Sequence, residues 1–154
     1  MKFYPAEIGA DEILPLNGRL PASILELSEE GIKAETEIVV DLHVQRDGET
    51  MIVMGKLQTA LQLQCGRCPE WLDYPIAIDD FCVTFEPPLA TSIDLTEPIR
   101  EDIILRLPLR AACQLDDEHR CPRSGKSYPP ANEAPGSILG GEAWQDLDKL
   151  KIKE

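Results

Sequence analysis

Between residues 38 and 45 apolar and polar side chains alternate. Ile38, Val40, Leu42 and Val44 share one parity, and Val39, Asp41, His43 and Gln45 the other. A period of two belongs to a half-buried strand. Asp47-Gly48 follows, the preferred two-residue hairpin turn. Folding about that turn sets Val44 opposite Met51, Leu42 opposite Val53, Val40 opposite Gly55 and Ile38 opposite Leu57. The returning strand then carries Leu57, Thr59, Leu61 and Leu63 on the buried face, with Gln58, Gln62 and Gln64 pointing away. Both arms agree on which face is buried, so the pattern predicts a hairpin with its sides fixed. Gly55, inside the second arm, marks a bulge or a close approach of backbones.

Cys65-Gly66-Arg67-Cys68-Pro69 interrupts the alternation, and a third strand resumes at Trp71 or Leu72. Leu72, Tyr74, Ile76 and Ile78 lie on one parity, whereas Phe81, Val83 and Phe85 lie on the other; a bulge near Asp79-Asp80 reconciles them. The two-cysteine segment therefore belongs to a tight connection between adjacent antiparallel strands. Pro87-Pro88 ends the sheet region. Leu95, Ile99, Ile103, Ile104 and Leu107 then recur at helical spacing, with Arg100, Glu101 and Asp102 on the other side, which predicts a helix over 96–107. Thr96 is its expected N-cap, and Pro108 stops it. The stretch 111–141 has no period and reads as a loop. Trp144, Leu147 and Leu150 predict a short terminal helix over 142–151. Residues 1–34, broken by prolines and glycines, hold a strand or two. The expected fold is a single α+β domain over 1–154, mainly β. Its strand-rich part, 1–88, forms an antiparallel sheet or partly open barrel, followed by the amphipathic helix and the terminal one.

Charge narrows the function. The chain has 154 residues, with 15 basic against 28 acidic, a formal net charge of −13. Nucleic-acid affinity comes largely from Lys and Arg displacing counterions from phosphates, and a net anion works against it. A basic protein is the easier partner. No apolar run approaches the length of a membrane span, and Met1-Lys2-Phe3-Tyr4-Pro5 lacks the basic-then-apolar order of a secretion signal. The expected location is the cytoplasm. No serine–histidine–carboxylate set, phosphate-binding glycine loop or HExxH motif is present, so neither an enzyme nor a small-molecule substrate is expected.

The cysteines carry the candidate chemistry. Five of them, without a secretion signal, point to thiols or metal ligands and not to a disulfide framework. Cys65 and Cys68 have the spacing of a metal knuckle, in which two thiolates share one tetrahedral ion. Cys113 and Cys121 are the candidates for the other half of a structural zinc site, with His119 as a substitute. Cys121-Pro122-Arg123-Ser124-Gly125 looks like a second knuckle with serine in place of its last cysteine, and a hydroxyl is a poor zinc ligand beside a thiolate. The bland alternative is a set of reduced thiols near a loop junction. A redox dithiol would want Cys65 at a helix N-terminus in a βαβ setting, and Pro69 and Pro75 bracket a segment that resumes strand alternation instead. Cys82, within a strand, reads as packing, His43 as a solvated side chain, and Asp116-Asp117-Glu118 as a solvated turn.

Taken in order, Leu63-Gln64-Cys65-Gly66-Arg67-Cys68, Phe85-Glu86-Pro87, Ile93-Asp94-Leu95, the run from Ile99-Arg100-Glu101-Asp102 to Pro108, and Cys113 with Cys121 resemble the YceD-like family, the large ribosomal RNA subunit accumulation proteins. Trp144 through Lys151 is similar to that family's closing helix, so the resemblance spans roughly residues 50–151. It implies a non-enzymatic factor of large-subunit production, with Arg67, Arg100, Glu101, Asp102 and Pro108 among the motif residues and a metal-binding cysteine set that Ser124 departs from. Joined to the negative charge, it suggests an assembly or stabilisation factor that holds a basic large-subunit ribosomal protein or pre-ribosomal particle. The alternative is a zinc-dependent RNA-binding module using Arg67, Arg106, Arg110, Arg120 and Arg123; a thiol-redox protein is the third.

Overall fold

The computed structural model describes residues 1–10 and 12–128. The chain falls into two compact units, Met1–Cys113 and Gln114–Glu154. The expected terminal helix at 142–151 and the end of the 111–141 loop lie outside the described residues.

The first unit is an open antiparallel sheet with one α-helix among the described residues. Its strands are β1 (Lys2–Phe3), β2 (Ile13–Leu20), β3 (Ile32–Lys33), β4 (Ile38–Asp47), β5 (Thr50–Gln64), β6 (Trp71–Phe85) and β7 (Ile93–Asp94), followed by helix α1 (Thr96–Leu105). Strand β5 is central. It pairs with β4 and, further along, with β3 on one side and with β6 on the other, while β2 extends the sheet beyond β4. Strands β1 and β7 form a separate two-stranded ribbon. The sheet does not close into a barrel, so β2 and β6 are edges. Pro15 sits within the edge strand β2, where proline's missing donor is tolerated.

The expected hairpin is present with a shifted register. Asp47 pairs with Thr50, Val44 with Val53, Leu42 with Gly55 and Val40 with Leu57, a slip of two residues from the sequence expectation. The reason is the turn. Its two central residues are Gly48, with φ of 61°, and Glu49, an arrangement that puts glycine first and leaves Asp47 in the strand. A two-residue slip preserves parity, so the buried side is unchanged: Val40, Leu42, Val44, Val53, Leu57, Leu61 and Leu63 are all in the core. The buried Thr59 hydroxyl donates to the Thr36 carbonyl at 3.2 Å, which satisfies it.

Gly55 is both a close approach and a bulge neighbour. It pairs with Phe81, whereas Leu57 pairs with Ile78, so Lys56 faces the two residues Asp79 and Asp80. The extra residue is on β6, at the predicted position, and it brings Ile76, Ile78 and Phe81 onto the same buried face. Lys56 and Asp79 pair at 3.3 Å across it, and Arg106 reaches Asp80 at 2.9 Å.

Helix α1 packs Leu95, Ile99 and Ile103 into the core. Its start differs from expectation, because Thr96 is already helical and the buried Leu95 stands at the N-cap. Asp94 does the capping, its carboxylate accepting from the Thr96 amide at 3.0 Å and the Thr96 hydroxyl at 2.7 Å. Those two hydrogen bonds hold the Asp94 carboxyl down at about 2, against an ordinary 3.8. Because the folded value is the lower one, the stabilisation is complete above pH 3.8 and disappears as pH falls through 2. Replacing Asp94 with asparagine is therefore expected to cost about 1 kcal/mol or less at neutral pH, given a half-exposed carboxylate. Denaturant melts of both proteins from pH 7 downwards check this; a gap that persists at pH 2 would show the cap is not ionic.

Arg100, expected on the solvent side, is instead a half-buried tie. It donates to the Leu25 carbonyl at 3.2 Å and pairs with Glu97 at 2.9 Å and Glu26 at 3.5 Å, fastening α1 to the 3-10 turn Ala22–Leu25.

Of the second unit, residues 114–128 are described. Asp116 accepts from the Glu118 and Arg120 amides at 3.0 and 2.7 Å, making the acidic run a closed turn. Arg120 bridges Ser127 across the following loop.

Candidate metal centre

Cys65 and Cys68 lie where β5 hands over to β6, in a six-residue connection closed by a hydrogen bond from the Cys65 amide to the Glu70 carbonyl at 2.9 Å. As expected, this is a strand-to-strand turn and no helix N-terminus. Residues 110–113 run beside it. The Gly66 amide donates to the Ala111 carbonyl at 2.8 Å, the Arg110 guanidinium to the Gly66 carbonyl at 2.7 Å, and the Arg67 guanidinium to the Cys113 carbonyl at 2.9 Å. A Cβ at position 66 would lie 2.5 Å from Arg110 Nε, so any residue other than glycine displaces that guanidinium.

This bracing brings three buried thiols together. The sulfur atoms of Cys65, Cys68 and Cys113 all lie within 4.8 Å of one another, with Cys65 and Cys113 at 3.6 Å. Thiolates 2.3 Å from a tetrahedral zinc are ~3.8 Å apart, so the spacing suits a shared ion. It is far beyond the ~2.0 Å of a disulfide, and none of the five cysteines is in a disulfide.

The backbone prepares Cys65 for a cation. Burial pushes its thiol up, but the amides of Cys113, Arg67 and Cys68 and the Cys113 thiol outweigh that and bring it from 9.0 to about 6. The Arg67 and Cys113 amides point at its sulfur from 3.4 and 3.3 Å. Amide donors aimed at sulfur favour the thiolate, the form that binds metal.

The other expected ligands, Cys121 and His119, belong to the second unit. Cys121 is buried and opens a tight loop. Its amide donates to the Lys126 carbonyl and its carbonyl accepts from the Gly125 amide, both at 2.8 Å. Gly125 has φ of 67°, and the Lys126 amide reaches the Ser124 hydroxyl at 3.4 Å. The Ser124 hydroxyl thus accepts a hydrogen bond within the loop, at the position where a second knuckle would carry its last cysteine. His119 is exposed, in a left-handed conformation with φ of 59°.

Two expectations are corrected. Cys82 is in β6 but exposed, on the side away from the core, so it does not pack. His43 is half-buried, between Pro15 and Met54 in the ladder, and not freely solvated. The pattern of residues does not reveal the Gly66, Arg67 and Arg110 bracing. A mid-turn glycine is its only sequence sign, because the partner segment lies 44 residues further along.

Compared with known proteins, the chain matches no family model, no curated protein and no solved structure. Among the described residues, no helix is long and apolar enough to cross a membrane.

Proposed function

We propose that this is a non-enzymatic binding protein with a tip pinned by one structural zinc ion, held by Cys65, Cys68 and Cys113, and an acidic surface that takes a basic partner. The observation that carries the metal is the cluster of three buried thiols within 4.8 Å. Soft thiolates select zinc over hard cations. Zinc takes four donors, so a fourth ligand joins the three thiols. Bound there, it would tie the β5–β6 turn to the segment after α1.

The setting, cytoplasmic production of the large ribosomal subunit, rests on the resemblance of residues 50–151 to the YceD-like family, and the basic partner on the net charge of −13. Unbridged cysteines suit a reducing compartment. The RNA-binding alternative has less support, since Arg67 and Arg110 are engaged by backbone carbonyls and Arg106 and Arg120 by carboxylates. The lowered Cys65 thiol is what a redox protein would also have, but its sulfur is buried with two others and sits at no helix N-terminus.

Elemental analysis of protein purified without a histidine tag is expected to find one zinc per chain, with the cluster thiols alkylated only after chelation. Titration with acid-extracted large-subunit proteins is expected to give a salt-sensitive complex with basic members of the set. Tight binding to naked ribosomal RNA, with a steep salt slope and no affinity for those proteins, would overturn the partner reading.

A further inference from the structure

Strand β6 pairs with β5 along one edge, and no other described strand covers its second edge. An unpaired edge is a template for another strand. The first part of this one is blunted. Pro75 lacks a donor, the bulge at Asp79-Asp80 breaks the ladder, and the end of α1 is fastened there through Arg106 to Asp80 and through the Tyr74 hydroxyl to the Arg106 carbonyl at 3.5 Å. Past the bulge, Phe81–Phe85 runs straight beside β5 with none of these obstructions.

That open stretch borders a groove of about 180 Å³ between β6 and α1. Its apolar lining is Phe81, Val83, Pro98 and Leu105, and Leu105 is 80% exposed, so its side chain is open to a partner. Its charged groups are Glu101 and Asp102, and neither forms an ion pair among the described residues, in contrast to the neighbouring Glu97, which Arg100 neutralises. The groove therefore combines a backbone edge, an apolar slot and two carboxylates that form no ion pair among the described residues.

We infer that β6, at Phe81–Phe85, accepts an extended basic segment of a partner protein as an added strand, one apolar side chain entering the groove beside Leu105 and its Lys or Arg side chains meeting Glu101 and Asp102. Strand addition draws affinity from main-chain hydrogen bonds and specificity from alternate side chains. Charge complementarity selects the occupant, since an anionic peptide or RNA would face both carboxylates and a chain of net charge −13. The inference rests on the basic-partner reading above and names the surface that serves it.

Cys82 supplies the readout, because it is exposed within the groove while the other four cysteines are buried. The test follows its alkylation in the full chain by mass spectrometry, with an acetylated peptide of alternating Lys and Val or Leu as probe. A peptide with Glu replacing Lys, and polyuridine RNA, serve as controls. Saturating Lys peptide is expected to slow Cys82 alkylation at least several-fold while both controls leave it unchanged. The Glu101→Lys/Asp102→Lys double variant and, separately, Leu105→Ser are each expected to weaken the protection about tenfold, with unchanged circular dichroism as the folding control. Protection by RNA, or protection insensitive to both variants, overturns the inference. The acid-extracted ribosomal proteins separate the two claims. If they bind both variants as well as the unaltered chain, the groove is wrong and the partner reading stands. If they fail to bind even the unaltered chain while the Lys peptide still protects it, the partner reading falls and the groove stands.

Discussion

Replacing Cys113 with alanine is expected to abolish zinc binding and lower the stability of the zinc-loaded protein by about 3 kcal/mol or more. The size follows from where Cys113 lies. Cys65 and Cys68 are joined by their own short turn, which the Cys65–Glu70 hydrogen bond already closes. Cys113 comes from a segment beyond α1, so a metal bridging it to the turn ties together two stretches far apart in sequence. Three hydrogen bonds from Gly66, Arg67 and Arg110 also link those stretches. Each contributes about 1 kcal/mol net, whereas a structural zinc ion in small domains is worth roughly 10 kcal/mol or more in apparent binding energy. The sheet has its own core, so the loss here is a fraction of that. The informative comparison is with metal-free unaltered protein. Cys113→Ala is expected to melt well below the zinc-loaded protein and close to the chelated one, while Cys82→Ala, at an exposed position, stays within about 0.5 kcal/mol of its parent. Thermal melts of the four samples check this. If Cys113→Ala melts with the zinc-loaded protein, the ion is not bound where the three thiols meet.

The sheet was legible because its signal is local. Alternation from Ile38 to Leu63 and again from Leu72 to Phe85 names the buried face directly, and the parity break placed the bulge near Asp79-Asp80, where it lies. The register was less legible, since Asp47-Gly48 offers two alignments of the same parity and only the backbone at Gly48 chooses between them. The two-cysteine turn could be placed between strands for the same local reason. Residue type makes Cys113 a candidate to join that turn, but no local pattern brings it there. Its approach depends on the path of the chain beyond α1 and on the Arg110 and Arg67 contacts. Arg100 and Asp94 escape the periodic pattern for a related cause. Helical periodicity assigns a side, but the Leu25 carbonyl that receives Arg100 comes from a distant turn, and Asp94 caps from just outside the periodic stretch.

Substituting Gly55 with alanine is expected to be the most damaging single methyl group in the sheet. Its φ of 148° lies in a region that side chains rarely adopt, and an added Cβ would sit 2.2 Å from the Asp41 carbonyl oxygen and 2.8 Å from Leu42 Cα. Both are backbone atoms of β4, so no rotamer change relieves the overlap. The strand itself must move, and it carries Val40, Leu42 and Val44 into the core. Backbone strain of about 1–3 kcal/mol adds to the displacement of a packed strand, for a total of about 3–5 kcal/mol. Gly48→Ala is the control. That position also has positive φ, 61°, but nothing lies within 4 Å of its Cβ, so only the left-handed conformation is penalised, at about 1–2 kcal/mol. Urea midpoints of the two variants against the parent isolate the steric part. A Gly55→Ala protein no less stable than Gly48→Ala would mean that β4 and β5 are not in this register. The pairing of Leu42 with Gly55, which separates the observed hairpin from the one aligned two residues away, would then be wrong.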